Sequence, residues 1–130
     1  MIRDDKTKFL LYIEPTSEQK GQIMIDDEWT MLLRVAMSEG KLGTSNYSEP
    51  GEPEIIFDED KRYKGVHFTE DGVSSANYDI LLPNGMITNS LCVHYLLSYR
   101  LAIPSTDWEK LKDLQRYYGR SINVQQGRQM

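Results

Sequence analysis

The hydrophobic positions follow a helical period in one stretch of the first half of the chain. Apolar side chains recur there at spacings of three and four residues, which is typical of a helix with one buried face. The residues on this face are Trp29, Leu32, Leu33, Ala36 and Met37. Asp26 and Asp27 precede them and can accept hydrogen bonds from the free amides of the first turn, and Gly40 and Gly43 follow. The pattern predicts a helix between these two pairs.

Two stretches before this helix have the composition of strands. Residues 9–13 are Phe-Leu-Leu-Tyr-Ile, and Pro15 ends the run because proline cannot donate to a sheet ladder. Residues 22–25 are predicted to return beside this strand as a hairpin. After the helix, residues 43–54 are mainly small, polar or proline residues, which predicts a surface loop.

The middle of the chain predicts an antiparallel meander. Its strands are residues 55–57, 66–68 and 78–82, and Met86 with Ile87 can pair back onto the last of them. The turns between them are residues 58–62, Asp71-Gly72 and Pro83-Asn84-Gly85. The last of these turns contains Asn-Gly, which readily adopts the positive φ values of a tight hairpin.

Two helices are predicted in the last third of the chain. The first begins among the capping residues 88–90 and continues to Leu101, and it is apolar on most sides, so we expect it to be the central buried helix. Pro104 stops it. The second helix opens at Thr106 with the Thr-x-x-Glu pattern of a capping box and ends at Gly119, before a polar tail from about residue 120.

This order of elements predicts a single α+β domain over residues 1–130. Its antiparallel sheet has about four to six strands and is packed by one helix from the N-terminal half and by a C-terminal helical hairpin. The length of 130 residues and the 39% content of hydrophobic residues supply one core but not two.

The sequence also predicts a compartment. No apolar run approaches the roughly 18 residues that a membrane span needs, and the first residues lack the apolar stretch of a secretory signal. The single cysteine, Cys92, cannot form an intrachain disulfide, which favours a reducing compartment. We therefore expect a cytoplasmic protein with no membrane partner.

Charge is divided unevenly along the chain. Residues 1–79 carry a net charge of -8 and residues 80–130 a net charge of +3, which together give the total of -5. An overall negative field repels polyphosphates, so a nucleic-acid partner is disfavoured. The C-terminal part of the chain is the one region where an anion would be attracted.

Most familiar chemistry is excluded by the residues present. Two histidines on different predicted elements and one cysteine inside an apolar helix do not make a metal site. Cys92 and His94 are two residues apart on a helix and point away from each other. No glycine-rich phosphate loop occurs. We predict no catalytic residue, no metal ligand and no cofactor, and keep a small hydrolase that uses His94 and Ser98, four residues apart on one face, as an alternative.

One cluster of polar and aromatic residues predicts a ligand site. Polar groups and free amides stand at the start of the buried helix, in the positive part of the chain, where the helix dipole attracts an anion. Aromatic rings and a guanidinium group follow within three turns and can stack on a base or bind a phosphate. The candidate ligand-binding residues are Asn84, Asn89, Ser90, Tyr95, Tyr99 and Arg100. Helix capping and core packing are the alternative roles for these residues.

A DNA-reading function is a second alternative. Residues 95–118 resemble a helix-turn-helix unit, with a break at residues 102–105 between two helices. The groove-facing residues would be Ser105, Thr106, Glu109 and Lys110, with Arg116 near a phosphate. Asp107 and Glu109 at the start of the second helix oppose this function because phosphates repel them.

The leading prediction is a non-catalytic binding protein that sequesters or blocks a partner. Thirteen aromatic residues, eight of them tyrosines, exceed what one core of this size must hold, and exposed tyrosines are good interface anchors. The partner is either another protein, complementary to the acidic N-terminal part, or a phosphate-bearing, nucleotide-like ligand. Small acidic proteins of this kind are often accessory inhibitors carried by phages or mobile elements. Self-association through the last helix is a further expectation.

Overall fold

The computed structural model describes residues 8–47, 55–59 and 66–127. Within these ranges the chain forms three α-helices and one four-stranded sheet. In chain order the elements are α1 (Glu28–Ser38), β1 (Lys41–Tyr47), β2 (Ile55–Glu59), β3 (Asp79–Leu81), β4 (Ile87–Asn89), α2 (Cys92–Ser98) and α3 (Ser105–Gly127). Short 3-10 turns, Ser17–Gln19 and Arg100–Ala102, precede α1 and follow α2. The predicted α+β class is confirmed, with a strand number inside the predicted range.

The sheet is antiparallel throughout and has the spatial order β2-β1-β3-β4. β1 runs between two neighbours, and its residue Gly43 is opposite Glu59 of β2 on one side and Asp79 of β3 on the other. A Cβ atom at position 43 would lie 2.7 Å from the ring of Phe57. Glycine therefore allows β2 to approach this closely.

The loop prediction for residues 43–54 is wrong in its first part. Residues 43–47 belong to β1, because all of them pair with β2 and Gly43 also pairs with β3, although most of their side chains are small and polar. Residues 48–54 lie outside the described ranges. The predicted strand at 55–57 is confirmed as β2, which continues through Asp58 and Glu59, the first residues of the predicted charged turn.

A different hydrophobic cluster packs against each face of the sheet. Ile80 belongs to the main core, which α1, α2 and α3 fill from one side. Its neighbour Leu81 points the other way and packs with Ile87 against Phe9 and Tyr12 in a smaller cluster. Two layers of unequal size therefore cover the sheet, and the N-terminal segment supplies the thinner one.

Residues 9–13 do not form the predicted strand. The backbone makes one bridge, from Phe9 to Ile87 of β4, and then leaves the ladder because Leu11 has a φ of 60°. The segment is buried nonetheless, and side chains from three other elements bind its peptide groups. The Leu11 amide donates to Asp107 Oδ1 at 3.1 Å, and the Leu11 carbonyl accepts from Asn89 Nδ2 at 2.7 Å. Buried backbone groups need partners, and here side chains replace a neighbouring strand.

Two other predicted strands are shorter or absent. Residues 22–25 pair with no strand of the described chain; they run past the end of α2, where the Ile25 amide donates to the Leu97 carbonyl at 2.9 Å. Residues 66–68 are reduced to a single bridge between Phe68 and Ser74. The turn after it is confirmed, with Gly72 at a φ of 88°.

The hairpin between β3 and β4 forms where the Asn-Gly signal predicts it. Gly85 has a φ of 91°, and its amide donates to the Leu82 carbonyl at 2.9 Å. β4 then runs from Ile87 to Asn89, two residues beyond the predicted pairing of Met86 and Ile87, and so includes two of the residues predicted as helix caps. Thr88 and Asn89 are therefore strand residues, and α2 begins at Cys92.

The three helices lie where the sequence predicts them, but their lengths differ from the predicted lengths. The side chain of Asp27 caps α1 and accepts from the Trp29 amide at 3.1 Å. α2 is short and gives way to the 3-10 turn Arg100–Ala102. α3 continues past Gly119 to Gly127, because a glycine inside a helix costs only about 1 kcal/mol relative to alanine. No described helix is both long and apolar enough to span a membrane.

Candidate functional site

Asn89 and Tyr95, two of the predicted ligand-binding residues, contact the N-terminal segment of the chain. The Asn89 amide donates to the Leu11 carbonyl, and its Oδ1 accepts from the Leu91 amide at 2.9 Å. The Tyr95 hydroxyl donates to the Ile13 carbonyl at 3.3 Å. Both side chains are almost completely buried, and burial raises the pKa of Tyr95. Their polar atoms are engaged inside the protein.

Arg100 is held by the start of α1. Its guanidinium group donates to both carboxylate oxygens of Asp27, at 2.6 and 2.8 Å, and its Nε donates to the Leu96 carbonyl at 2.8 Å. The ring centroid of Trp108 lies 5.9 Å from its Cζ. These hydrogen bonds from Arg100, outweighing a smaller opposing effect of burial, hold the pKa of Asp27 below its ordinary value. Arg100 therefore joins α1 to the end of α2.

The remaining predicted residues are dispersed. Asn84 accepts from the Met86 amide at 3.2 Å inside the hairpin turn, and Ser90 accepts from the Ala76 amide at 2.7 Å. Tyr99 is buried with its ring 5.6 Å from that of His94, and burial, together with the Asp71 carboxylate, raises the pKa of its hydroxyl. The six residues thus face several different neighbours, and the phosphate-ligand site stays a prediction.

His94 contacts an acidic turn rather than a nucleophile. Its Nε2 lies 3.1 Å from Asp71 Oδ2, and Lys20 Nζ lies 3.1 Å from the same oxygen. Burial alone would raise the pKa of Asp71, but hydrogen bonds from Thr69 and Lys20, with the charge of His94, lower it overall. Within the described chain no hydrogen bond joins His94 to Ser98, so the geometry does not favour the hydrolase alternative.

Two charged residues in the first two turns of α3, Asp107 and Lys110, face the protein interior. Lys110 Nζ donates to the Phe9 carbonyl, and Asp107 accepts from Leu11. Burial raises the pKa of Asp107. Lys110 is only 8% exposed, so it is not available to a DNA groove. The helix-turn-helix alternative stays a prediction that this geometry does not favour.

A group of exposed apolar side chains lies near the end of α2. We call them the apolar ridge: Ile23, Met24, Ile25 and Leu101, which are 78%, 65%, 40% and 82% exposed. The backbone that carries the ridge is fixed, because the Gly21 amide donates to the Ser98 carbonyl at 2.7 Å and the Ile25 amide donates to the Leu97 carbonyl. Leu101 follows one turn beyond Leu97.

A second pair of exposed apolar residues extends from the ridge along α1. Asp27 caps this helix and binds Arg100, which is the neighbour of Leu101 in the chain. Met31 and Val35 follow Asp27 by four and eight residues and so lie on the same side of α1. They are 63% and 40% exposed.

Charge near the ridge is acidic. The described cations there are already paired: Arg34 with Asp26 at 2.7 Å, Arg100 with Asp27 at 2.6 Å, and Lys20 with Asp71. The exposed carboxylates of Glu18 and Glu28 have no ion-pair partner among the described residues. The surface around the ridge therefore offers an uncompensated negative charge.

Comparisons with known proteins gave no significant match to a protein-family model, to a curated protein or to a solved structure. The ridge was also missed by the sequence pattern, which assigned residues 22–25 to a strand. The sequence does contain a signal for the ridge. Three consecutive apolar residues, Ile-Met-Ile, stand directly before three acidic residues, and this apolar run belongs to no periodic pattern.

Proposed function

We propose that the protein is a non-catalytic binding protein that binds and blocks a partner protein through the apolar ridge. The single observation that carries this proposal is the exposure of Ile23 and Leu101, at 78% and 82%, on a backbone fixed by hydrogen bonds. Isolated surface leucines are ordinary, but a contiguous apolar patch of several hundred Å² on a small protein marks an interaction surface.

The energetic case rests on the number of side chains that a partner would cover. Burying one large aliphatic side chain stabilises a complex by about 1.5–3 kcal/mol before the costs of association. A few such anchors surrounded by weaker contacts carry most of the affinity in protein interfaces. Met31 and Val35 add two further exposed apolar side chains that a partner could cover.

Charge selects the kind of partner. Glu18 and Glu28 border the ridge, and the whole chain has a net charge of -5. A second copy would bring like charges together, whereas a partner with lysine or arginine around an apolar patch would be attracted. The proposed partner is therefore a different protein with a basic rim.

The test starts from a photo-crosslinking residue placed at Met24 in the full chain, with Glu109 on α3 as the control position. A partner that crosslinks at 24 but not at 109 in native host cells is identified, purified and titrated by calorimetry. We expect Ile23→Ser with Leu101→Ser to weaken its binding by about a hundredfold. The matched control is Val66→Ser with Val73→Ser, two exposed apolar residues on another part of the surface.

Two outcomes oppose the proposal. Equal affinity of the purified partner for wild type and the ridge double variant places the interface elsewhere. A concentration-dependent dimer in sedimentation equilibrium that the ridge double variant abolishes makes a second copy the occupant of the ridge.

A further inference from the structure

The two edges of the sheet differ in what covers them. At β4 the N-terminal segment pairs with the outer side of the strand: the Leu10 amide donates to the Ile87 carbonyl at 2.8 Å, and the Ile87 amide donates to the Lys8 carbonyl at 2.6 Å. At the opposite edge, β2 pairs with β1 alone within residues 8–47, 55–59 and 66–127. One edge of the sheet is therefore covered by the N-terminal segment, and the other ends in β2.

The register shows which peptide groups of β2 face outward. Ser45 of β1 lies opposite Phe57, and the Ser45 amide donates to Asp79 of β3 at 3.0 Å, so it is directed away from β2. Ser45 and Phe57 are therefore a non-hydrogen-bonded pair of the antiparallel ladder. The amide and carbonyl of Phe57 consequently point out of the sheet. Those of Ile55 and Glu59 point the same way, because the direction repeats every second residue.

The next residue of β2 agrees with this assignment. The Asp58 carbonyl oxygen lies against Gly43 of β1, as the alternation requires for the residue after Phe57. Among the described residues, none makes a hydrogen bond to the outward amide or carbonyl of Phe57. Outward peptide groups at a sheet edge are a template for the addition of another strand.

We propose that β2 pairs antiparallel with β2 of a second copy of this chain, about a two-fold axis at Phe57. In this register the Phe57 amide of each copy donates to the Phe57 carbonyl of the other, and the two sheets become one continuous sheet. The pairing uses the same surface on both copies, so it closes with two of them. No residue of β2 belongs to the apolar ridge, and the inference goes beyond the proposed function and does not depend on it.

Charge favours a second copy at this edge, in contrast to the ridge. In the proposed register Asp58 lies opposite Ile56 of the second copy, and Glu59 lies opposite its Ile55. No two carboxylates are therefore directly opposed, which is the arrangement that destabilises paired strands. The Glu59 carboxylate is also paired with Lys41 at 3.2 Å, so it does not select a basic peptide from another protein.

The Phe57 side chain also fits a second copy. Its ring is half-buried and packs against the smaller cluster of Phe9, Tyr12 and Ile87. Directly opposed residues of paired strands lie on the same face of the sheet. The Phe57 ring of the second copy therefore extends this cluster across the two-fold axis, on the face of the sheet that has the thinner cover.

Sedimentation equilibrium of the full chain is the first test. The contact is small, with five residues from each strand, so we expect a weak dimer with a Kd on the order of 100 μM. A concentration range from about 10 μM to about 1 mM brackets this value. A protein that stays monomeric over the whole range overturns the proposal.

Cysteine crosslinking tests the register. In Phe57→Cys the two introduced residues are directly opposed, with Cα atoms about 5.5 Å apart, which suits a disulfide. In Glu59→Cys, the matched control on the same side of the strand, they are roughly 14 Å apart. We expect oxidised glutathione to link Phe57→Cys into dimers at least about tenfold faster than Glu59→Cys. The native Cys92 is buried and common to both variants.

Proline tests the backbone contact. Glu59→Pro removes an outward amide and leaves the groups that β2 directs at β1 in place. Glu59→Gln loses the same charge but keeps the amide, and it is the control. We expect Glu59→Pro to weaken dimerisation by about tenfold and Glu59→Gln to change it by less than about twofold. Circular dichroism reports whether each variant folds, and the wild-type and cysteine measurements stand without the proline variant.

Hydrogen exchange at the Phe57 amide distinguishes the occupants of this edge. Slower exchange at the high end of the concentration range than at the low end supports the second copy. Protection that does not change with concentration means that the chain covers its own edge, and it overturns the proposal, as does equal crosslinking of the two cysteine variants. A dimer that survives Glu59→Pro but is lost in Ile23→Ser with Leu101→Ser places the contact at the ridge instead.

Discussion

The Tyr12 hydroxyl donates a hydrogen bond to the buried carboxylate of Asp79. This contact joins the N-terminal segment to the central strands, since Asp79 lies in β3 and its second oxygen accepts from the amide and hydroxyl of Ser45 in β1, at 3.0 and 2.6 Å. The Tyr12 oxygen also lies 2.9 Å from the Thr88 carbonyl of β4. A carboxylate that is only 2% exposed depends on such donors, because burying a charge without them is costly.

Removing the Tyr12 hydroxyl should therefore destabilise the fold. We expect Tyr12→Phe to lower the free energy of unfolding by about 1–3 kcal/mol, the cost of leaving a buried polar group without one of its partners. Urea denaturation followed by circular dichroism measures the change. Tyr117→Phe, whose side chain is 42% exposed, is the control and should change stability by less than about 0.5 kcal/mol. Equal stability of the two variants would show that Asp79 does not need the Tyr12 hydroxyl.

Asn89 is expected to matter for folding rather than for ligand binding. Asn89→Ala removes the donor to the Leu11 carbonyl and the acceptor of the Leu91 amide, and both are buried. We predict a loss of about 2–5 kcal/mol in the free energy of unfolding, from two unpaired backbone groups. Asn84→Ala, in the half-exposed hairpin turn, should cost less than half as much. A stable Asn89→Ala protein would reopen the ligand role of this residue.

Asn89 also shows what the sequence can and cannot predict. The local sequence pattern places Asn89 beside an apolar helix, and this position predicts that Asn89 is buried. Its partner, Leu11, is 78 residues away in the chain, and no local pattern predicts that the N-terminal segment passes there. The sequence therefore indicated a polar contact at this position and assigned it to an external ligand.

The strands and the ridge illustrate the same limit. α1 and the Asn-Gly hairpin depend on neighbouring residues, and both are predicted correctly. β1 depends on pairing with two other strands, which overrides the low strand propensity of its Gly-Thr-Ser-Asn run. The apolar ridge is apolar in sequence, but its exposure is decided by what the rest of the fold leaves uncovered.

The ion pair between Asp27 and Arg100 makes stability depend on pH with a definite sign. The pKa of Asp27 is lowered in the folded protein, chiefly by its hydrogen bonds from Arg100. Its contribution is therefore complete above the unfolded pKa of about 4 and is lost as pH falls through the folded value. Asn retains the capping function, so Asp27→Asn isolates the charge.

We expect Asp27→Asn to be less stable than wild type at pH 7 and the difference to shrink toward pH 3. Urea denaturation of both proteins at several pH values measures it, and the other carboxylates cancel in the comparison. Asp113→Asn, an exposed carboxylate paired with Arg116 on α3, is the control and should show little difference at either pH. A stability difference for Asp27→Asn that does not change with pH would contradict the assigned role of the ion pair.

Two glycines should respond to alanine with opposite signs. At Gly43 an added Cβ would lie 2.7 and 2.8 Å from ring carbons of Phe57, so Gly43→Ala forces β2 away from β1 and should cost about 1–3 kcal/mol. At Gly119 an added Cβ meets nothing within 4 Å, and the residue lies inside α3. Gly119→Ala should therefore stabilise the protein by about 0.5–1 kcal/mol and increase its helical circular dichroism. Destabilisation at Gly119 would mean that the helix ends there, as its sequence signal first indicated.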